Sequence, residues 1–255
     1  MPDISTTSTT SKASITPEQN HLLAAFPDSA KQRIFPRLKL VEMSLGGVIH
    51  ESGQTIEFVY FPTNCIVSLL YVMLNGSSAE ISVVGNEGMV GISVFMGGDR
   101  TPSRTVVQSK GFAYRLPAPE LKAEFDATPE MRFLALRYTQ ALITQMSQTA
   151  VCNRHHSIDQ QLCRWLLLSL DRLPDNHLTM TQELIANMLG VRREGVTEAA
   201  GKLQKQGVIE YHRGHITVIN RARLEELCCE CYAVVKRETD RLVSSSRRGA
   251  GGSAS

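Results

Sequence analysis

The sequence predicts an α+β fold with a β-rich N-terminal region, one long helix and a compact C-terminal region of short helices and a β-hairpin. Three observations support this prediction. Glycine-punctuated runs of Val, Ile, Tyr and Phe fill residues 41–117, apolar residues recur at helical spacing after Pro129, and a helix–glycine–helix–hairpin pattern occupies residues 181–219. At roughly 100–200 residues per domain, a chain of 255 residues has room for two modest domains.

The composition, 42% hydrophobic and 20% charged, is typical of a globular protein. No apolar run approaches the roughly 18 residues of a membrane-spanning helix. The N-terminus also lacks the apolar core of a secretory signal. We therefore expect a cytoplasmic protein without a membrane partner, whose six cysteines are thiols. The net charge of +2 is too small to indicate nucleic acid, although residues 154–255 carry +3 and residues 1–153 carry −1.

The two ends of the chain are poor in apolar residues and predict disorder. The pattern between them divides the chain into four segments. The predicted boundaries are a disordered arm at 1–17, a β domain at 18–128, a long helix at 129–154, a helical and hairpin domain at 155–220, a C-terminal helix at 221–243 and a disordered tail at 244–255.

The β domain follows a short helical opening from His21 to Leu38. Short β-rich runs at roughly 8–12-residue spacing between turn residues indicate a sandwich, roll or barrel. Asn75-Gly76 is the strongest hairpin signal in the chain. The expected strands include Glu57–Phe61, Cys65–Leu74, Ala79–Val84 and Thr105–Val107.

The long helix has two apolar flanks and no Gly or Pro between Glu130 and Leu173. About 25 helical residues would extend about 37 Å, longer than the small β domain needs. Such a helix suits a seam between subunits, and the alternative is a helix that lies on its own domain. We predict a homodimer whose seam is formed by Met131, Tyr138, Leu142 and Met146; Phe133, Leu134, Leu136 and Ile143 form the second flank.

The third region predicts a winged helix-turn-helix. A helix over Ile158–Arg172 precedes two short helices, and strands Val208–Tyr211 and His215–Ile219 flank Arg213-Gly214. Thr181 can cap the first short helix, and Gly190 suits its left-handed end.

The second short helix leaves a charged N-terminal face, as the recognition helix of a DNA-binding protein does. Arginine pairs with guanine and Glu accepts from cytosine, so double-stranded DNA is the predicted partner. An ion-paired solvated face is the alternative, which the complete helix–turn–helix–wing pattern disfavours. The predicted DNA contacts are Thr181, Gln182, Arg192, Arg193, Glu194, Thr197, Glu198, Lys202 and Arg213, with Arg193 on a guanine and Arg192 or Lys202 on phosphate.

The stretch GVRREGVTEAAGKL (190–203) resembles the recognition region of the Crp/Fnr family of bacterial transcription regulators. VYFPTNCIVSLLY (59–71) and VGNEGMVGISVFMGGDRTPSRTVVQSKG (84–111) resemble the cyclic-nucleotide-binding-like β-roll of that family. The resemblance covers about residues 19–220 in the family's order. It implies a homodimeric regulator on an inverted-repeat operator, with RNA polymerase as a candidate further partner. The Arg-Glu pair that reads bases in the family corresponds to Arg193-Glu194, while Glu198 stands where cyclic-AMP-responsive members have arginine.

The effector pocket departs from the family's cyclic-nucleotide site. Arg104-Thr105 matches the phosphate-binding element, but Gly91-Ile92-Ser93 replaces the Gly-Glu-Leu whose Glu holds the ribose. Ile92 cannot accept a hydrogen bond, so we expect no response to cyclic AMP. Another small anionic effector held by Arg104 remains open, as does no effector at all, and a surface or structural role for Arg104 is the alternative.

No metal site is predicted. Residues 1–30 lack the cysteines that an iron–sulfur member needs, and Cys228, Cys229 and Cys231 do not complete a zinc spacing. These thiols are expected to pack the last helix, and His155-His156 to be a polar pair at a helix start. The alternatives are that Cys228 and Cys231, on one helix face, share a metal or are oxidised together, and that His155-His156 bind a metal. The sequence also lacks a GxSxG nucleophile elbow, a Walker phosphate-binding loop and an HExxH motif, which argues against an enzyme. An architectural DNA-binding protein without a ligand switch is the alternative to a regulator.

Overall fold

The computed structural model describes residues 15–246 and shows the predicted α+β fold, with a β-roll, a long helix and a winged helix-turn-helix in chain order. Among these residues no helix is both long and apolar enough to cross a bilayer. The helices are α1 His21–Ala25, α2 Asp28–Ile34, α3 Ala118–Ala127, α4 Pro129–His155, α5 Ile158–Leu170, α6 Gln182–Leu189, α7 Arg193–Lys205, α8 Arg221–Leu227 and α9 Glu230–Ser246. The strands are β1 Lys39–Met43, β2 Val48–His50, β3 Phe58–Pro62, β4 Ile66–Val72, β5 Ser78–Val84, β6 Arg104–Ser109, β7 Gly111–Pro117, β8 His177–Thr179, β9 Ile209–His212 and β10 His215–Val218.

Two antiparallel sheets form the β-roll, in the orders β1-β7-β3 and β2-β6-β4-β5. The predicted hairpin at Asn75-Gly76 joins β4 to β5. Gly76 adopts a φ of +84°, and the Met73 N–H donates to the Ser77 carbonyl at 2.7 Å. Asparagine followed by glycine suits such a tight turn because both tolerate unusual backbone angles.

One face of α4 closes the core of the β-roll. Met131, Tyr138 and Leu142 are 0%, 2% and 4% exposed and pack within the β-roll core cluster. The Tyr138 hydroxyl donates to the Met89 carbonyl at 2.9 Å, and a Cβ on Gly88 would lie 2.0 Å from the Tyr138 ring. The predicted dimer seam of Met131, Tyr138, Leu142 and Met146 is therefore wrong, because these side chains are used within the protomer; Met146 is also partly buried against this core.

The predicted disordered arm is wrong for its last residues. Ile15 is 7% exposed in the β-roll core, and its carbonyl accepts from the Tyr114 hydroxyl at 2.8 Å. Pro17–Gln19 form a short 3₁₀ turn. The reason is that Ile15 is an apolar side chain that the β-roll can bury. The rest of the predicted arm, residues 1–14, lies outside the described residues.

The predicted C-terminal helix is two helices, α8 and α9. The break falls at Cys228, whose φ of −77° and ψ of 159° are extended, although no Gly or Pro is present there. The physical reason is tertiary: the turn lets Cys229 and Cys231 pack against Cys152 at the end of α4. Helix α9 also continues three residues into the predicted tail, whose remainder, residues 247–255, lies outside the described residues.

Smaller differences concern turns and a short strand. The helical opening is split into α1 and α2 by Phe26-Pro27, both extended, since proline disfavours a helical backbone at the residue before it. Helix α4 ends at His155, one residue beyond its predicted limit. The wing has three strands in the order β8-β10-β9, because β8 after the Pro174 turn pairs with β10.

The winged helix-turn-helix packs directly on the four-stranded sheet of the β-roll. Ile66, Leu70 and Val83 from β4 and β5 belong to the same core cluster as Trp165 and Leu166 of α5. A buried ion pair crosses the same interface, with Arg172 Nε 2.8 Å from Glu87 Oε1. Removing either partner of such a buried pair would leave an uncompensated charge in the interface, which is strongly destabilising.

A chain of buried polar side chains also crosses this interface and includes a carboxyl group. Glu80 Oε2 lies 2.5 Å from Ser68 Oγ, which lies 2.9 Å from Gln108 Oε1, and the Gln108 amide donates to Ser169 Oγ at 3.1 Å. The single Ser68 proton can serve only one acceptor, so a protonated Glu80 that donates to Ser68 satisfies the whole chain. Burial raises the pKa of Glu80 to about 7, which agrees with this arrangement.

We predict that Glu80 makes the protein less stable as pH rises from 4.5 to about 7. Over that range the folded protein keeps a proton that the unfolded chain releases, so unfolding becomes easier with rising pH. Glu80→Gln cannot titrate but still donates to Ser68, so it should flatten this slope and be more stable than wild type at pH 8. Urea midpoints at pH 5 and pH 8 measure the effect, with the exposed Glu42→Gln as control. Equal slopes for all three proteins would contradict the buried neutral carboxyl.

Candidate nucleic-acid interface

Helices α6 and α7 form a helix-turn-helix with its predicted caps. The Thr181 hydroxyl accepts from the Leu184 N–H at 3.2 Å and begins α6. Gly190 ends α6 with a φ of +67°, a conformation in which a Cβ is unfavourable. Arg192 then precedes the first turn of α7. These local signals set the tight turn that places the start of α7 at the surface.

The surface of α7 exposes the residues predicted to contact DNA. Arg193, Glu194, Thr197 and Glu198 are all exposed. The opposite face is buried in the domain core by Val196, Ala199, Ala200 and Leu203. Because residues i, i+4 and i+7 share a helix face, Glu194 and Glu198 lie on one stripe with Gly201. An extended ligand could therefore meet the N-terminal half of α7 along its length.

Several of the predicted contacts also bond to one another. The Thr197 hydroxyl lies 2.8 Å from Gln182 Oε1 and joins α7 to the start of α6. Lys202 Nζ lies 3.1 Å from a carboxylate oxygen of Asp159 and 3.0 Å from one of Glu198. A phosphate contact by Lys202 would have to compete with these two carboxylates for the same ammonium group. Lys202 is thus a weaker candidate for phosphate than the sequence suggests.

The wing supplies a second exposed cation beside α7. Arg213 and Gly214 form the two-residue turn between β9 and β10, with φ of +48° and +83°. Positive φ at both positions is the geometry of a tight hairpin turn that glycine and asparagine favour, so the Arg213 backbone is strained. Within residues 15–246, Arg192, Arg193 and Arg213 form no ion pair and keep their charge available.

An open groove of about 440 Å³ separates α6 and α7 from the wing. Tyr211 contributes to its wall and is fixed by a hydrogen bond from its hydroxyl to the Met180 carbonyl, at 2.8 Å. Tyr211 was missed by the sequence reasoning, and its position on the strand before the wing turn is the signal that would have found it. The groove is lined by Thr181, Gln182, Glu183, Arg193, Tyr211, Arg213 and Gly214.

A second candidate site is a cavity of about 150 Å³ inside the β-roll. Gly91, Ile92, Ser93 and Thr105 line it, as the sequence predicts. Arg104 does not line it, so the predicted anion clamp is wrong. Adjacent residues on a strand point to opposite faces, and while Thr105 faces the cavity the Arg104 Nε lies 3.1 Å from Glu51 Oε2.

The cavity wall contains a buried histidine that the sequence reasoning did not select as a site residue. His50 is 4% exposed, and its Nδ1 has no hydrogen-bond partner among the described residues. Burial lowers the pKa of His50, which keeps the imidazole neutral. The other lining residues with polar side chains are Tyr71, Ser93, Thr101, Ser103 and Thr105, all of which carry hydroxyls. The cavity therefore offers uncharged hydrogen-bonding groups.

The outer face of α4 carries an exposed apolar stripe. Phe133, Leu136 and Ile143 are 59%, 49% and 44% exposed. With Gln140, Ser147 and Ala150 they recur at alternating steps of three and four residues, the spacing of a coiled-coil seam. This stripe lies opposite the face that closes the β-roll. The sequence reasoning assigned these side chains only to a second flank.

Comparison with known proteins agrees with this architecture. The sequence model of the Crp-like helix-turn-helix domain matches residues 160–227, which contain α6, α7 and the wing. A global nitrogen regulator of Synechococcus elongatus is 22% identical over 217 residues, which cover 82% of this chain and 97% of that protein. The C-terminal region is therefore a Crp-like helix-turn-helix domain, and the whole chain is similar to transcription regulators of the Crp/Fnr type. The predicted resemblance is thereby confirmed, and DNA is the partner that the family implies.

Two solved structures share the fold of this chain. FixK2 from Bradyrhizobium japonicum superposes with a TM-score of 0.66 at 15% identity, covering 75% of this chain and 98% of its own. A protein of Eubacterium rectale that is assigned to the crp/fnr family gives a TM-score of 0.65 at 19% identity, covering 82% and 98%. At these identities the likeness shows the common fold.

We predict that Arg213→Asn weakens DNA binding without lowering the stability of the protein. Asparagine tolerates positive φ better than arginine, so the urea midpoint should stay the same or rise. Loss of one phosphate contact should weaken binding to all DNA sequences and reduce the slope of log affinity against log salt by about one. Arg237→Asn, which removes the same charge from an exposed position on α9, is the control. An unchanged salt slope in the Arg213 variant would show that the wing does not contact the DNA backbone through Arg213.

Proposed function

We propose that this chain is a transcription regulator of the Crp/Fnr type, a homodimer that binds an inverted-repeat operator through α7 and the wing. The observation that carries the proposal is the set of unpaired arginines, Arg192, Arg193 and Arg213, beside the exposed start of α7. A recognition helix enters the major groove by its N-terminal residues, while cations around it contact phosphate. The groove beside the wing gives the duplex backbone a place to lie.

Base reading is assigned to the exposed side chains in the first turns of α7. Arg193 is expected to pair with guanine through its two parallel N–H donors. Glu194 and Glu198 are acceptors for a cytosine amino group. Arg192 and Arg213 are expected to contact phosphate, together with Thr181 and Gln182 at the start of α6. Lys202 is a weaker phosphate candidate, because its ammonium already pairs with Asp159 and Glu198.

Dimerisation is assigned to the exposed stripe Phe133, Leu136 and Ile143. Three large apolar side chains in one helical row make an unfavourable surface in water, and a second copy of the same row would cover it. A two-fold axis along α4 relates the two recognition helices. The two half-sites are then inverted and lie about one helical turn apart, roughly 34–36 Å.

The effector is proposed not to be cyclic AMP. The cavity of about 150 Å³ is smaller than the roughly 300–1,000 Å³ of typical pockets for drug-sized ligands. Its lining residues include neither Lys nor Arg, so a phosphate would find no counter-charge there. This also disfavours the small anionic effector expected from Arg104. A small uncharged ligand that bonds His50 fits the wall better, and an empty cavity in an architectural DNA-binding protein is the alternative.

A ligand in the cavity would act on DNA binding through β4. Leu69 and Tyr71 line the cavity, whereas Ile66 and Leu70, on the opposite face of β4, pack with the winged-helix core. Helix α4 makes a second link, because Met146 lines the cavity and Gln145 accepts from the Val83 N–H at 2.7 Å. An effector would alter DNA affinity only by favouring one arrangement of these packed elements over another.

The remaining partners follow from this role. A regulator that binds DNA works where DNA and RNA polymerase are, so we propose a cytoplasmic location and RNA polymerase as a further partner. Catalysis is not part of the proposal, since the groove and the cavity are accounted for by DNA and a ligand. A measured effector-dependent change in operator affinity would distinguish a regulator from an architectural protein.

Arg193→Ala tests the reading of DNA by α7. We expect a loss of about 1–3 kcal/mol on a site selected by the wild-type protein, and relaxed preference at one base pair per half-site. Arg192→Ala removes the same charge one residue earlier and should weaken selected and random DNA about equally. Fluorescence anisotropy with both DNAs measures the difference. If Arg193→Ala also weakened both equally, Arg193 would contact phosphate and the base-reading role would be lost.

Ile143→Glu tests the dimer. It places like charges opposite each other in an apolar seam, so the variant should sediment as a folded monomer and lose operator affinity. Leu45→Glu introduces the same charge at another exposed apolar position and should remain a dimer. Leu142→Glu is expected to unfold the protomer instead, since Leu142 is 4% exposed in the core. A dimer that persists in Ile143→Glu would place the interface elsewhere.

A further inference from the structure

Four potential metal ligands converge where α4 meets α9. Cys152 lies in the last turn of α4, and His156 ends that helix with its N–H bonded to the Cys152 carbonyl. Cys229 lies in the break between α8 and α9, and Cys231 lies in the first turn of α9. Residues far apart in the sequence are thus brought to one point. We call Cys152, His156, Cys229 and Cys231 the Cys₃His cluster.

The distances within the Cys₃His cluster match a tetrahedral zinc site. One ligand atom from each residue can be chosen so that all four lie within 4.8 Å of one another. The sulfurs of Cys152 and Cys229 are 3.6 Å apart, and Cys231 Sγ is 3.6 Å from His156 Nδ1. A tetrahedron with metal–sulfur bonds of about 2.3 Å has edges of about 3.8 Å. The side chains therefore need little movement to hold an ion.

The surroundings of the cluster suit a cation and its ligands. Cys152, Cys229 and Cys231 are at most 5% exposed, and His156 is partly buried, so four protein atoms would enclose the ion. His156 Nε2 lies 3.4 Å from Glu230 Oε2. A carboxylate that accepts from the outer nitrogen of a ligating histidine directs the other nitrogen, here Nδ1, to the metal.

A buried cation, the guanidinium of Arg164, interacts electrostatically with the sulfurs of the cluster. Arg164 is 4% exposed, and its Nη1 donates to Thr149 one turn before Cys152 at 3.1 Å. This buried guanidinium would offset part of the negative charge that three thiolates bring to one ion.

We infer that the Cys₃His cluster is a structural zinc site. Thiolate and imidazole are the ligands of structural zinc, and four protein ligands leave no open position for a reaction. Cys228 lies next to the cluster but is not one of its members. The ion would join the end of α4, the start of α9 and the joint that leads through Ser157 into α5. It would thereby fix the DNA-binding domain relative to the long helix, independently of what the β-roll binds.

The first test measures metal in the full-length wild-type protein. We expect one zinc ion per chain after purification under reducing conditions, released in parallel with thiol modification and detected by a colorimetric chelator. Protein stripped of zinc and titrated with Co²⁺ should show intense tetrahedral d–d bands and thiolate-to-cobalt charge transfer, saturating at one equivalent. This test needs no variant, so it stands even if a ligand substitution prevents folding.

The second test assigns the ligands. Cys229→Ser and His156→Ala should lose most bound zinc, and His156→Ala should keep thiolate charge transfer with altered d–d bands when loaded with cobalt. Cys228→Ser, a neighbouring thiol outside the cluster, is the matched control and should retain one ion per chain. Far-UV circular dichroism and the melting temperature with and without zinc separate loss of the site from loss of the fold. Zinc should raise the melting temperature of the wild-type protein but not that of Cys229→Ser or His156→Ala.

Several results would overturn the zinc site. Reduced wild-type protein that binds no zinc or cobalt would do so, as would a weak octahedral cobalt spectrum. Iron with acid-labile sulfide would show a cluster of another kind. A Cys152–Cys229 disulfide in the isolated protein, with no metal uptake after reduction, would show that these thiols serve oxidation. Zinc retained by both Cys229→Ser and His156→Ala would place the metal at other residues.

Discussion

Helix α4 presents two apolar faces, and the rest of the structure depends on how each of them is covered. Its inner face completes the β-roll core through Met131, Tyr138 and Leu142. Its outer face keeps Phe133, Leu136 and Ile143 exposed. Because both faces are apolar, neither can be turned to solvent without cost. The fold buries one of them, and a second copy of the chain is what we propose covers the other.

The recognition region was predictable because its signals are local. A cap at Thr181, a left-handed glycine at Gly190 and a charged first turn at Arg193-Glu194 follow each other within a few residues, and each constrains only its own backbone. The dimer seam was not predictable from periodicity. Two apolar stripes on one helix predict two buried faces, but the spacing alone does not say which face the β-roll takes.

The cavity and the Cys₃His cluster depend on tertiary structure, which spacing does not show. Arg104 and Thr105 are adjacent in the sequence but lie on opposite faces of β6, so the motif match did not place the arginine in the cavity. Cys152 and Cys229 are separated by 77 positions and meet because α9 folds back along α4. The break at Cys228, without Gly or Pro, is set by this packing and has no local signal.

The central claim is that two copies of α7, related by the seam on α4, read DNA together. Selection of bound fragments from random DNA by the wild-type protein, at two salt concentrations, tests it most directly. The account predicts inverted repeats with half-site centres about one helical turn apart, roughly 34–36 Å, and a guanine that stays fixed in each half-site as salt rises. Selection of a single unrepeated element, or of half-sites in direct orientation, would contradict it.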